Sequence, residues 1–283
     1  MRKLDQFRLA APAAAVAVAA LLASGCGGGS DTEPAKAAIT YTKAGKFELP
    51  KSIDGGLVDL TLTNQDKAPH AAQLVRIEDG HTTQEALKFL AANSDKTPEW
   101  IRAEGGPSAG PAGTASATVD LPEGKYVVTD LGGPGSTGPP ATAELTVKSG
   151  ESGDLPSSDI EVTGAENGKD KYSWDVSGDL KSGTNHLTFK SEGDEAIHFL
   201  GAFKINGKHS DAEIAKALEG GGPPPYVDQS TFTNTTILDG GKSQVTDLTL
   251  SKPGTYVLFC PLTDRDGGKP HFAEGMIKQV TVG

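Results

Sequence analysis

The side chains best suited to nucleophilic or metal chemistry are two cysteines, at positions 26 and 260, and six histidines, at 70, 81, 186, 198, 209 and 271. A thiolate is both a nucleophile and a soft metal ligand, and its surroundings decide which role it takes. Cys260 ends the apolar run Gly254-Thr-Tyr256-Val-Leu-Phe259 and precedes Pro261. His271 follows in Pro270-His271-Phe-Ala-Glu-Gly275-Met276, and His198 lies far upstream in Gly193-Asp-Glu-Ala-Ile-His198-Phe. Two cysteines cannot build a disulfide framework. No pair of histidines stands as His-x-His.

The elements that must position these residues recur once along the chain. His70 and His81 recur at an offset of 128 as His198 and His209. Thr82-x-x-Glu85 and Ser210-x-x-Glu213 are both capping boxes, which predicts short helices around 83–93 and 211–219. Leu121-Pro-Glu-Gly-Lys-Tyr126 matches Leu250-Ser-Lys-Pro-Gly-Thr-Tyr256. A period this long means duplicated domains rather than a solenoid. Between these signals, apolar residues alternate in short runs, such as Val58/Leu60/Leu62, Tyr126/Val128, Leu187/Phe189 and Tyr256/Leu258. Gly 36 and Pro 18 supply frequent turns. Period-two runs broken by turn residues predict an all-β protein of two antiparallel sandwiches, each with one short inserted helix. The first is expected over 39–148, a linker over 149–158 and the second over 159–283.

The N-terminus indicates location. Arg2, Lys3 and Arg8 precede an Ala-rich apolar run that is too short for a membrane span and matches a secretory signal. Its end, Leu22-Ala-Ser-Gly-Cys26, resembles the bacterial lipobox, which implies cleavage of residues 1–25 and lipidation of Cys26. Residues 26–38 read as a flexible tether. The expectation is a lipid-anchored, extracytoplasmic protein in which Cys260 is the one remaining thiol. An unpaired thiol in an oxidising compartment is a liability unless buried or ligated. The formal net charge is −11; residues 1–25 carry three basic groups and one acidic, so the chain without them stands at −13. Such a surface excludes nucleic acid as a partner, because phosphate binding needs a basic face.

The segment from Gly254 to Val282 closely resembles the end of plastocyanin-type cupredoxins, in which a strand with Tyr four residues before a Cys leads into a ligand loop. The resemblance implies two tandem Greek-key, cupredoxin-like domains and one type 1 copper site in the second. It implies Cys260 as thiolate ligand, His198 and His271 as imidazole ligands, and Met276 as the weak axial thioether. A His2Cys set with a long axial Met is the blue-copper donor set. Two features depart from the pattern. Ten residues, 261–270, separate Cys260 from His271, a longer loop than plastocyanins have, and Phe199 follows His198. The first repeat carries Asp130 in register with Cys260, retains only His70, and is expected to be metal-free.

This reading predicts an electron-transfer or copper-holding protein. Its expected partner is a redox protein such as a c-type cytochrome or oxidase, steered by the acidic surface. The electron exit is expected at a solvent-near edge of His271 ringed by Pro223-Pro-Pro-Tyr226. The alternative is a copper-free scaffold protein at the cell surface. Tandem cupredoxin domains also build nitrite reductases and laccases, but those need further His clusters, and Cys260 is flanked by Phe259 and Pro261. An enzyme is therefore disfavoured.

Overall fold

The computed structural model describes residues 33–92, 96–131, 140–193, 196–220 and 222–283. Cys26, the signal segment and most of the expected tether lie outside them. Chain order in the first half is β1 (Ala35–Tyr41), β2 (Phe47–Glu48), β3 (Ser52–Asp54), β4 (Gly56–Asn64), β5 (His70–Ile77), helix α1 (Thr83–Ala91), β6 (Ile101–Ala103), β7 (Ser108–Ala109), β8 (Thr114–Leu121), β9 (Gly124–Asp130) and β10 (Thr142–Lys148). The second half follows with β11 (Glu161–Glu166), β12 (Tyr172–Ser177), β13 (Gly183–Ser191), β14 (Ile197–His198), β15 (Gly201–Ile205), helix α2 (Asp211–Glu219), β16 (Val227–Asn234), β17 (Leu238–Asp239), β18 (Ser243–Leu250), β19 (Gly254–Phe259) and β20 (Ile277–Val282). The ordered sheet begins at Ala35, inside the stretch expected to be tether, because alternate residues Ala37, Ile39 and Tyr41 are apolar and buried against β4.

Each half is a sandwich, and the two share a layer. One eight-stranded sheet runs β12-β11-β13-β18-β8-β4-β1-β2, crossing from one half to the other where β18 pairs with β8. The order β3-β10-β9-β5-β6 forms the opposing layer in the first half, and β16-β15-β19-β20 that in the second. Leu60, Leu62 and Tyr126 fill the first core; Leu187, Phe189 and Tyr256 fill the second. Burying each such side chain contributes about 1.5–3 kcal/mol. Pairing is mostly antiparallel, but β1 with β4, β11 with β13 and β3 with β10 are parallel. Apolar alternation shows which face of a strand is buried and carries no information about strand direction, so these pairings were not legible in it.

The recurring signals have recurring structural causes. Both capping boxes form, with Thr82 and Ser210 accepting from the backbone N–H of Glu85 and Glu213. Helix α1 covers the outer face of its sheet through Ala86 against Ile77 and Val127; α2 does the same through Ile214 against Phe203 and Val257. The Tyr126 hydroxyl donates to Pro122 O at 2.7 Å, and the Tyr256 hydroxyl accepts from Lys252 N–H at 3.3 Å. Each tyrosine thus ties its strand to the turn four residues upstream, a corner-fixing device of β-sandwiches.

Polar groups hold the two halves together beyond the shared sheet. Gln73, 1 % exposed, accepts from Ile237 N–H at 2.6 Å and donates to Ile237 O at 3.1 Å. The fully buried Gln244 accepts from Gly106 N–H at 2.9 Å, and Thr236 donates to Gly106 O at 2.7 Å. The described residues accordingly fall within one compact unit. A single cooperative unfolding transition is expected in urea, and Gln73→Ala is expected to lower its free energy by about 1–3 kcal/mol through the unpaired Ile237 N–H. Two separate transitions, or an unchanged midpoint in the variant, would contradict this account of the interface.

Candidate metal centre

His198, Cys260 and His271 meet in the second half. Each offers one ligand atom, these atoms lie within 4.8 Å of one another, and all three residues are fully buried. His198 belongs to β14, whose two-residue pairing with β17 sets His198 opposite Leu238. Cys260 leaves β19 immediately after Phe259. His271 opens a short 3-10 turn, His271–Glu274, which Gly275 ends with φ of 109°. A Cβ at Gly275 would also stand 2.6 Å from Tyr172 O, so glycine is needed there for both reasons. The ligand segment is then closed by backbone bonds. His271 N–H donates to Leu262 O at 2.8 Å, Phe272 N–H to Cys260 O at 2.9 Å, and Met276 N–H to His271 O at 2.8 Å.

Hydrogen bonds fix which ring nitrogens are free. The Nε2 of His198 lies 3.2 Å from Glu192 O, and a carbonyl can only accept, so Nε2 carries the proton. Its Nδ1 is left as a bare lone pair, buried and without a hydrogen-bond partner. The His271 Nε2–H donates to Asp264 Oδ1 at 3.0 Å, and the same oxygen accepts from the Tyr172 hydroxyl. His271 Nδ1 then faces Cys260 Sγ at 3.5 Å. The sulfur also accepts from Phe199 N–H at 3.4 Å. Partners of this kind orient the ligands of a metal site and set their tautomers.

The walls are aromatic and dry. Tyr172 stacks on His271 with ring centroids 4.1 Å apart, and Trp174 donates from Nε1 to Met276 O at 3.1 Å. Met276 is fully buried in the same core cluster as Cys260. Gly164 on β11 leaves the remaining space: a Cβ there would stand 2.5 Å from Met276 Cε and 3.0 Å from His198 Cδ2. Burial, aided by the nearby His271, pulls the His198 imidazolium down to about 3, so its ring is neutral at neutral pH. Burial also lowers His271, against the pull of Asp264. The Cys260 thiol is pushed up to about 12 by burial, opposed by backbone N–H groups of Phe199 and Leu262. The pocket is therefore uncharged when empty, and a cation binding there would have to displace the thiol proton, as thiolate-ligating metals do.

The remaining histidines are engaged elsewhere. His81 stacks on Trp100, His209 stacks on Tyr226, and His186 pairs with Asp247 on the outward face of β13. His70 is held between two carboxylates, with Nδ1 2.8 Å from Asp130 and Nε2 3.1 Å from Asp66. Asp130 occupies the place in the first half that Cys260 has in the second. Ala71 N–H donates to Asp130 Oδ1 at 3.1 Å, as Phe199 N–H does to Cys260 Sγ. One expectation is corrected. His271 has no solvent-near edge, because Asp264 and Tyr172 cover its Nε2 side, and Tyr226 of the Pro-rich segment packs on His209 instead.

Several residues that shape the site were not singled out in the sequence. The alternation of Tyr172 and Trp174 marks both as facing one side of β12, a signal that was present. Asp264, Arg265 and Gly164 carry no local signature, since their roles come from chain segments far away.

No family model and no curated protein matches the chain. Similar solved structures include auracyanin A, described as a blue copper protein from Chloroflexus aurantiacus, at 17 % identity over 41 % of this chain and 100 % of that one, with a TM-score of 0.30. Reduced auracyanin from Roseiflexus castenholzii is 25 % identical over 44 % of this chain and 94 % of that one, with a TM-score of 0.27. The copper nitrite reductase of Nitrosomonas europaea is 12 % identical over 89 % of this chain and 94 % of that one, with a TM-score of 0.26. The chain's own donor set, rather than these likenesses, decides what the pocket can hold.

Gly164→Ala tests the packing around it. The added methyl is expected to displace Met276 or His198 and lower the free energy of unfolding by about 1–3 kcal/mol. An unchanged urea midpoint would contradict the tight approach described.

Proposed function

We propose that this chain is an extracytoplasmic, membrane-anchored protein that holds one copper ion and serves in electron transfer or copper holding. The observation that carries the reading is the Nδ1 lone pair of His198, buried without a partner beside Cys260 and His271. A buried acceptor left unpaired costs about 1–3 kcal/mol, and a metal ligated there removes that cost.

The donor set selects the metal. Thiolate and thioether are soft ligands suited to Cu(I), and imidazoles suit Cu(II) as well. His198, Cys260 and His271 would supply the strong ligands, and Met276 would add a weak thioether. Bound copper would supply a one-electron change between these states. The protein's part is to keep one geometry for both. Tyr172, Trp174 and the β14–β17 pairing hold the rings, and full burial excludes water. Small rearrangement between oxidation states favours transfer over ligand exchange.

The surface supports a redox protein such as a c-type cytochrome or oxidase as partner. A cleft of about 630 Å³ is lined by Glu99, Glu166, Asp170, Asp264 and Asp266 against Lys169 and Arg265, and it reaches Tyr172, which stacks on His271. A basic partner would be steered there. A carrier is favoured over an enzyme because one His/Cys cluster of ligand geometry is found among the described residues. Anchoring rests on the N-terminal pattern that ends at Cys26.

The purified protein is expected to bind one equivalent of Cu(II) with an intense visible thiolate-to-copper band. Cys260→Ser is expected to abolish the band, while His70→Ala, in the first half, is expected to keep it. A parent protein that stays colourless in excess copper would overturn the copper reading. In cell fractionation the parent is expected with membranes and Cys26→Ala is expected to lose its lipid; an unchanged fraction and mass in the variant would overturn the anchor.

A further inference from the structure

We propose that the first half, which lacks the ligand set, fixes the metal-site loop of the second through Arg265, making Arg265 a positioning residue for His271. The inference rests on the copper reading above and adds to it a role for the first half.

Arg265 stands in the middle of the ten-residue stretch 261–270 that separates Cys260 from His271. A ligand loop of that length has more conformations to lose than a short one. Its own backbone bonds are few: His271 N–H to Leu262 O at 2.8 Å closes the ends, and Gly267 N–H donates to Asp264 O at 2.9 Å within it. Arg265 is buried, at 5 % exposure. Its Nη1 donates to Pro98 O at 3.0 Å and Ile101 O at 3.1 Å, both in the first half. Its Nη2 donates to Asp239 Oδ1 at 2.5 Å. In return, Thr97 N–H of the first half donates to Arg265 O at 2.8 Å.

Each partner lies on something that bears on the site. Asp239 belongs to β17 and pairs with Ile197, one residue from His198. Asp264, next to Arg265, accepts from His271 Nε2–H. One guanidinium thus joins the segment beside His198, the loop that aims His271, and carbonyls of the first half. Arg is suited to this because its planar fork offers five donors in fixed directions, which a lysine does not. The first half, whose own counterpart position is filled by the His70–Asp130 pair, then acts as the wall against which the second half's ligand loop is set.

The test uses the full chain carrying Arg265→Ala, Arg265→Lys or, as a control, Arg102→Gln. Arg102 pairs with Asp239 and Glu78 across the same region, outside the loop. Copper affinity is read by chelator competition, the site's geometry by the visible and electron paramagnetic resonance spectra, and the loop by amide hydrogen exchange in metal-free protein. Arg265→Ala is expected to lose about tenfold or more in affinity, as outer-shell partners of metal ligands typically do. Its spectra should change, and amides of 262–271 should exchange faster without metal. Arg265→Lys should fall between parent and Arg265→Ala, and it carries the test if the alanine variant fails to fold. Arg102→Gln should leave the spectra and the loop unchanged. Parent-like affinity, spectra and exchange in both Arg265 variants would overturn the proposal, as would equal effects from Arg102→Gln. If the parent binds no copper, the functional reading fails, while the exchange comparison still decides whether Arg265 sets the loop.

Discussion

A buried interior does not tolerate an idle polar atom, and this fold keeps one, the His198 Nδ1, beside a buried thiol and a second imidazole. The His198 Nδ1 has no partner, the Cys260 thiol is buried and pushed up in pKa, and the His271 Nδ1 faces the sulfur rather than an oxygen donor. Without a ligand, that arrangement costs folding free energy. The surrounding structure prevents the usual escape, which is to rotate a ring toward another partner. Glu192 O holds the far nitrogen of His198, Asp264 holds that of His271, and Phe199 N–H holds the sulfur. The strands, the tyrosine corner and the closing turn at Gly275 exist around that convergence.

The first half shows the same frame with the demand removed. It has the same corner tyrosine, the same capped helix on the outer face of its sheet, and a histidine at the matching strand start. Asp130 stands where the second half has a thiol, and a carboxylate pairs with His70 directly. Both His70 nitrogens are engaged, and Tyr41 stacks on the ring at 3.6 Å. With a carboxylate in the thiol's place, His70 is paired, whereas His198 in the second half is left with an open lone pair. The two halves are joined by a continuous sheet and by buried polar contacts such as those of Gln73 and Gln244.

Much of this was legible in the sequence because it depends on local chemistry. Alternating Val58, Leu60 and Leu62 gave β4 its buried face, and the capping boxes placed both helix starts. The resemblance that drew Cys260, His198, His271 and Met276 together named residues that the fold brings into one core region. What escaped depends on distant segments. The parallel pairing of β1 with β4 leaves no trace in alternation, and it drew Ala35–Ala38 out of the expected tether into the sheet. The cover over His271 needs Tyr172 from another strand, so burial of that ring could not be read from its neighbours in sequence. The anchoring of Arg265 to Pro98 and Ile101 spans more than 160 residues.

X-ray absorption at the copper edge tests the central claim most directly. With one equivalent of copper added to the full chain, the account predicts a first shell of one short sulfur and two imidazole nitrogens, with the sulfur shell lost in Cys260→Ser. A first shell of oxygen and nitrogen only, identical in parent and variant, would show that the metal sits elsewhere and that the buried thiol and rings are not its ligands.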